Sequence, residues 1–333
     1  MRKILLIRLS SIGDIVLTSP VVRCIKEQLP DAELHFLVKK QFVPVVEANP
    51  HIDKIHIVDT ENIKKTLTEM QTENFDFIVD LHKNFRSFYL TRKLKLPHAT
   101  FNKLNIKKWM LVNLKIDLMP EIHIVDRYFE AVKELGIKND GKGLDYFIPE
   151  KDRVNPSTLP DDFRQGYAGF VIGAKHVTKA LPEEEVVFVI NKIKKPVVLL
   201  GGPEDREKGE RILAECKTTV YNACGKYNIN ASASLVEQAD VIITNDTGLM
   251  HIAAAFKKEV ISVWGNTVTQ FGMYPYLPEW KKDKSHIFEV QGLNCRPCSK
   301  LGYKKCPRGH FKCMRKIDLS GIADVVNGIT KHG

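Results

Sequence analysis

Hydrophobic positions along the chain fall in short continuous runs. Between the runs lie longer stretches in which apolar residues recur every three or four positions. The runs at 3–9, 33–38, 54–59 and 75–81 predict strands buried on both faces. The stretches 14–28, 41–48 and 62–73 predict helices between them. Two more helices are predicted at 102–115, where Leu104, Ile106, Trp109, Met110, Leu111 and Leu114 alternate with lysines, and at 124–135, which Gly136 ends. A second series repeats the pattern, with strands at 169–172, 196–200, 219–222, 240–244 and 259–263. Its helices are predicted at 182–192, 204–216, 231–238 and 248–256, and a last one near 319–329. Such alternation predicts parallel sheets covered by helices. A Gly- and Lys-containing turn at 138–143, and three prolines from Pro149 to Pro160, mark a linker. The expectation is two doubly wound α/β domains in tandem, 1–150 and 151–333, with ligands outside the carboxyl ends of the strands, in a cleft between the domains.

The 333 residues suit two domains, and 44% hydrophobic with 27% charged residues exclude a disordered, collagen-like or small disulfide-scaffold chain. Charge adds more. The formal net charge is +10, and it is not evenly spread. Segment 81–116 holds nine basic residues and no acid, and 290–317 holds eight and no acid; the rest carries 33 basic and 40 acidic residues, a net −7. Each segment reads either as a solvated basic face or as a surface for an anionic partner: nucleic acid, membrane or phosphorylated substrate.

The opening apolar run is broken by Arg8, too early for a signal-peptide core, and no window reaches the roughly 18 apolar residues of a membrane-spanning helix. Seven cysteines, four of them clustered, suggest reduced thiols or metal ligands more than disulfides. The expected location is the cytoplasm, with association at a membrane surface left open.

Five segments could carry chemistry. In the first, Ser10, Ser11 and Gly13 lie at a strand-to-helix turn, where small residues admit a ligand to the backbone. The spacing is not that of a dinucleotide fingerprint. Asp14 follows, either as a first-turn acid complementing the helix dipole or as a general base. In the second, Lys175, Thr178 and Lys179 precede Pro182, as a solvated loop or a phosphate clamp. In the third, Gly201 and Gly202 end a strand and Glu204 follows, as an ordinary turn or a ribose-binding carboxylate. In the fourth, Asp246, Thr247, Gly248, Leu249 and His251 open an apolar helix, whose N-terminal N–H groups suit a diphosphate; a plain capped start is the alternative. His251, taken alone, reads more readily as a core histidine. The fifth is Cys295-x2-Cys298-x7-Cys306-x6-Cys313, within 294–316. It has the general form of an all-thiolate structural zinc site, with one tight pair; reduced or oxidised thiols are the alternative. Cys24, Cys216 and Cys224 read as packing residues.

Taken together, these motifs resemble glycosyltransferase family 9, the ADP-heptose:lipopolysaccharide heptosyltransferase-like enzymes, over nearly the whole chain and in order. The resemblance is carried by the run from Arg8 to Pro20, by Lys179-Ala180-Leu181-Pro182, by the run from Asn245 to Ala255, and by Trp264-Gly265-Asn266-Thr267. The chain departs from the family pattern at Leu181, where an aromatic is usual, and at Asn266, where Pro is common. The resemblance implies a GT-B architecture of two Rossmann-like domains facing across a cleft, the first taking the acceptor and the second the nucleotide sugar. It implies an inverting transfer of a heptose, or a related sugar, from an ADP-sugar to the lipopolysaccharide inner core or a related glycolipid, with no cofactor required. Asp14 is then the base and Lys179 the group that takes diphosphate charge. Lys175, Thr178, Glu204, Asp246, Thr247, Gly248, Leu249 and His251 bind the donor. Ser10, Ser11, Gly13, Lys83 and Arg86 meet an anionic acceptor, and 102–115 lies on the membrane. The competing readings are a basic zinc-containing nucleic-acid-binding protein and a nucleotide-sugar epimerase. The first leaves Asp14 and the 245–251 run without a role, so nucleic acid is not the expected partner.

Overall fold

The computed structural model describes residues 2–329, which divide into two compact units. The first comprises the residues up to Lys103 together with Ile122–Pro149. Its strands are β1 (Lys3–Ile7), β2 (Glu33–Val38), β3 (Lys54–Ile57), β4 (Phe77–Asp80) and β5 (His98–Thr100). They form one parallel sheet in the order β3-β2-β1-β4-β5. Ile4, Leu5, Leu6 and Ile7 of β1 are fully buried, as a central strand covered on both faces requires. The helices are α1 (Ile12–Val16), α2 (Ser19–Gln28), α3 (Ile63–Thr72) and α4 (Phe85–Leu94). Then comes α5 (Asn105–Asn113), which belongs with the second unit, and α6 (Ile124–Tyr128), which returns to the first.

Three predicted helices are shorter than the apolar pattern suggested. The 14–28 helix is two: Thr18 turns its hydroxyl back onto the Ile15 carbonyl at 2.7 Å, and Pro20 enters the second turn-start without an N–H to give. The 41–48 stretch is a 3-10 segment, Lys40–Val45, with Pro44 inside it. Only Ile124–Tyr128 of 124–135 is α-helical; Phe129–Leu135 tightens to 3-10, and Gly136 closes it at φ 77°. Helix α4 escaped the sequence pattern because its face is inverted. It buries Ser87, Leu90 and Thr91 and turns Phe85 and Phe88 outward.

The 138–143 turn is no loose linker. Arg23 of α2, itself buried, takes both carboxylate oxygens of Asp140 at 2.8 Å, the Gly143 carbonyl at 2.9 Å and the Asp145 carboxylate. Ser19 accepts from the Asp145 N–H at 2.8 Å. Asp140 is drawn below the usual range to about 2: burial opposes ionisation, and the bonds to Arg23 and Lys142 outweigh it.

The second unit comprises Leu104–Glu121 and the chain from Glu150 onward. The 104–121 segment, read from the sequence as part of a domain ending at 150, therefore groups here. Leu111 of α5 packs with Val268 and Phe271. The sheet is β6 (Ala168–Val171), β7 (Val197–Leu200), β8 (Val220–Asn222), β9 (Val241–Asn245), β10 (Glu259–Trp264) and β11 (Ser285–Glu289). All pairs are parallel, in the order β8-β7-β6-β9-β10-β11. Around it lie α7 (Glu183–Lys192), α8 (Arg206–Glu215), α9 (Ile229–Gln238), α10 (Gly248–Ala255), α11 (Lys312–Arg315) and α12 (Leu319–Gly328). Each sheet reverses its winding direction once, at β1/β4 and at β6/β9. That is where doubly wound sheets open a crevice for ligands.

Cys24 and Cys224 are buried and Cys216 partly so, with thiols pushed up to about 11, 12 and 11 by burial. Among the described residues, no helix is long and apolar enough to cross a membrane.

Candidate active site

In the first unit, the candidate residues gather past the carboxyl ends of β1 and β4. Arg8 leaves β1 into the interior and is 7% exposed. It donates to the carbonyls of Ser10 at 2.9 Å and Leu81, to the Tyr128 hydroxyl at 3.1 Å, and to Asp14 Oδ1 at 2.5 Å. The other oxygen of Asp14 accepts from the Ser11 hydroxyl at 2.7 Å and the Ser11 N–H at 3.2 Å, closing a capping box on α1. Asp14 is thus at once a helix-capping acid and a half-buried carboxylate held in one orientation. Burial works against the Arg8 charge, but Asp14 more than compensates and raises its pKa. Tyr128 beside it is pushed up to about 12 by burial.

Two further side chains at this end lacked any sequence signal. Asp80, buried at the end of β4, accepts the N–H groups of His82 and Lys83 at 2.9 and 2.7 Å and fixes the turn. His82 is drawn down to about 3, by burial and then by Arg8, so its ring is neutral at pH 7; its buried Nδ1 has no hydrogen-bond partner. Of the expected acceptor residues, Gly13 is buried in α1, while Ser10 and Ser11 serve Arg8 and Asp14. Lys83 is tied to the Phe101 carbonyl at 2.8 Å, and Arg86 is exposed on α4.

In the second unit, the loops after β6, β9 and β10 converge. Lys179 Nζ lies 2.5 Å from Asp246 Oδ2, and the Thr267 hydroxyl donates to the same oxygen at 2.9 Å. Thr247 is the N-cap of α10 but gives no side-chain cap; its hydroxyl sits 3.3 Å from that of Thr244. The first turn of α10, with Gly248 and Leu249, therefore has no side-chain cap on its N–H groups. His251, one turn further on, is buried. Asn245 cross-links the region through the Val171 carbonyl at 3.0 Å and the Leu181 N–H at 3.3 Å.

The other candidates separate from this group. Thr178 exchanges bonds with the backbone of Tyr303 at 2.8 and 3.2 Å, so its hydroxyl is occupied in holding the Cys-rich segment. Lys175 and Glu204 are exposed. Next to Glu204, Asp205 is the more embedded acid, its pKa raised by burial, and Lys208 reaches in to the carbonyls of Ile172 and Leu181 at 3.1 Å each. Leu181 is a core residue, and Asn266 uses its N–H on the Thr178 carbonyl at 3.4 Å, a bond that the family's usual Pro would lack.

The Cys-rich segment is fastened to this end of the sheet. Arg296 donates to the carbonyls of Gly265 at 2.6 Å, Thr267 at 2.9 Å and Val290 at 3.2 Å, and pairs with Glu289. Asn266 donates to Ser299 at 3.2 Å. Cys298 and Cys313 lie close enough to Cys295 and Cys306 to feel them electrostatically, though burial is the main cause that pushes both thiols up to about 11. His310 approaches Cys295 at 3.8 Å, a fifth donor that cysteine spacing did not point to. The donor set suits zinc, but the sulfurs do not close into a tetrahedron: among the described residues no three of them have ligand atoms all within 4.8 Å of one another.

Two Rossmann-like units with these loops at their switch points define a GT-B glycosyltransferase fold. The model of glycosyltransferase family 9 (heptosyltransferase) matches residues 63–304, and the chain belongs to that family. It is 22% identical to lipopolysaccharide heptosyltransferase 3 of Escherichia coli K12 over 330 residues, 93% of this chain and 91% of the relative. The crystal structure of a family 9 glycosyltransferase from Veillonella parvula superposes with a TM-score of 0.77 at 20% identity, covering 98% and 97% of the two chains. The solved structure of E. coli ADP-heptose lps heptosyltransferase II gives a TM-score of 0.72 at 19% identity, covering 98% of each chain. The nucleic-acid-binding and epimerase readings fall away with family membership.

Proposed function

We propose that this glycosyltransferase moves a heptose from an ADP-heptose donor to an anionic lipopolysaccharide-core glycolipid, with inversion and without a catalytic metal. The observation that carries the reading is the pairing of chemistries at the two switch points. One holds an oriented carboxylate, Asp14, and the other an uncapped helix start beside Lys179. The donor and acceptor classes come from the family and from the names of the relatives.

In this mechanism the acceptor hydroxyl oxygen bonds to the anomeric carbon as that carbon's bond to the diphosphate oxygen breaks, through an oxocarbenium-like state. The hydroxyl proton passes to Asp14, which Arg8 and Ser11 hold in one orientation. Attack opposite the leaving group inverts the centre. The Lys179 ammonium, held by Asp246, and the N–H groups of Thr247–Leu249 take the charge that develops on ADP. Lys175 and Glu204, both exposed, add to the donor side, and Lys83 and Arg86 to the acceptor side, while Thr178 holds the Cys-rich segment beside the donor loops. A structural zinc on Cys295, Cys298, Cys306 and Cys313 would stiffen the segment that Thr178, Asn266 and Arg296 fasten beside the donor loops. Location in the cytoplasm, at the inner face of the membrane, follows from the acceptor class.

The test is ADP release from ADP-heptose, with and without a Kdo-bearing core glycolipid. Acceptor-dependent release is expected without added divalent cation. Asp14→Asn should lower kcat by a factor of about 10²–10⁴ while ADP-heptose still binds normally. Full turnover by that variant would remove Asp14 from the mechanism. Release from a different nucleotide sugar only would overturn the donor assignment.

A further inference from the structure

At the amino-terminal edge of the first sheet, away from Asp14, two histidines and a glutamate share one small space. His35 of β2 is fully buried, and its Nδ1 lies 2.8 Å from His56 Nε2 of β3. Glu73, just past α3, brings its carboxylate to 3.8 Å from His35 Nδ1 and 3.9 Å from His56 Nε2. Among the described residues, this is the one group of three or more His, Cys, Asp or Glu side chains whose ligand atoms all lie within 4.8 Å of each other. Three different elements supply it, and nothing in the glycosyl-transfer mechanism uses it.

We propose that His35, His56 and Glu73 form a binding site for a divalent first-row transition ion of the zinc class. Ligand-to-ligand spacings of 2.8 to 3.9 Å, the two to Glu73 reaching different oxygens of its carboxylate, bracket the roughly 3.3 Å expected around a tetrahedral ion with bonds near 2.0–2.1 Å, so closure changes each spacing by about half an ångström. Two imidazoles and a carboxylate select zinc or its neighbours over magnesium and calcium. The surrounding shell is also built for the role. Glu33 lies 2.7 Å from His35 Nε2, and a carboxylate there holds the proton on that nitrogen and leaves Nδ1 as the ligand atom. Phe75 stands edge-on to both rings, 5.1 and 6.1 Å between centroids, and walls the site with an apolar side chain. The one opposing feature is cationic. Lys54 bonds Glu73 at 2.5 Å and Lys3 lies 3.7 Å from it, so an incoming ion shares that carboxylate with them. The site therefore binds less tightly than an uncontested one, and weakening Lys54 strengthens it.

The experiment is Co²⁺ titration of the full-length chain, stripped with chelator and kept reduced, followed by zinc X-ray absorption. Spectroscopy separates this site from the cysteines, since only thiolate-bound cobalt shows sulfur-to-metal charge transfer. The expected result is one equivalent of cobalt in a nitrogen/oxygen environment. His56→Gln should abolish it and leave any thiolate-bound cobalt in place. Glu33→Gln should weaken it about 10–100-fold by releasing the ring tautomer. Lys54→Met should tighten it, a direction that misfolding cannot produce. If wild type binds no cobalt through nitrogen and oxygen, or if His56→Gln binds it with the same affinity and spectrum, the site does not exist.

Discussion

Asp14 answers two demands with one side chain: one oxygen faces Arg8, and the other closes a cap with Ser11. The dipole-complementing reading and the catalytic reading of this residue were alternatives in the sequence, and the local geometry accommodates both. Lys179 is similar, because its ammonium is anchored on Asp246. On the proposed mechanism, Lys179→Met should therefore lower kcat by about 10²–10³ and raise KM for the donor, since it removes charge where the leaving group would form. Steady-state kinetics with ADP-heptose check this, and an effect on KM alone would limit Lys179 to ground-state binding. His82 carries a stability consequence. Its folded pKa of about 3 lies far below the unfolded value near 6.5, so the unfolded state binds the extra proton. Stability contributed by the neutral ring is present above pH 6.5 and declines as pH falls toward 3, by up to about 1.4 kcal/mol per pH unit through the middle of that window. Urea unfolding between pH 7 and 4 should show this slope, and His82→Gln should lack it. The motif residues at the strand ends were legible because Gly, small and charged residues interrupt apolar runs there. His82, Tyr128 and Asp205 were not, because their importance comes from partners far away in sequence.

The elements were legible in proportion to their burial. β1, β7 and β9 are each built on an apolar run and stand within a residue or two of where the pattern puts them. Short edge strands such as β5, with three residues, leave little pattern to read. Helix α4 was missed for the opposite reason, since it buries serine and threonine and exposes phenylalanine. The linker expectation missed Arg23, which sits in an apolar helix and finds its partners more than 115 residues on. Arg23→Leu leaves Asp140 and Asp145 without their guanidinium and should cost about 3–5 kcal/mol, the scale for breaking a buried pair from one side. The paired Asp140 makes the clamp acid-sensitive. With a folded pKa of about 2 against an unfolded value near 3.8, its contribution is complete above pH 4 and is lost as pH falls toward 2. Thermal unfolding of Arg23→Leu and wild type at pH 7 and pH 3 tests both statements; the gap should narrow at the lower pH.

Across the whole molecule, the net +10 resolves into surfaces with different tasks. The basic 290–317 segment spends part of its charge internally, through Arg296 on Glu289 and Arg315 on Glu184 and Glu185. The 81–116 segment divides between the two units, and some of its cations are also committed: Lys83 to Phe101, and Lys115 to the carbonyls of Val112 and Pro297 at 2.7 Å. What distinguishes this segment is exposed apolar area next to charge. Ile106 and Trp109 on α5 are 77% and 55% exposed beside Lys107 and Lys108, and Phe85 on α4 is 93% exposed beside Arg86. Amphipathic side chains with basic neighbours and no acid suit the headgroup region of an anionic bilayer, where aromatic insertion and charge attraction add. Binding to vesicles containing anionic lipid is therefore expected, weakening as salt rises past about 0.15 M, where the Debye length falls to about 8 Å. Trp109→Ser should reduce binding several-fold at every salt concentration, because it removes insertion. Lys107→Ala with Lys108→Ala should reduce binding at low salt and matter little at high salt. Vesicle co-sedimentation with and without anionic lipid distinguishes these contributions. If binding ignores both salt and lipid charge, the exposed aromatic residues meet something other than a membrane.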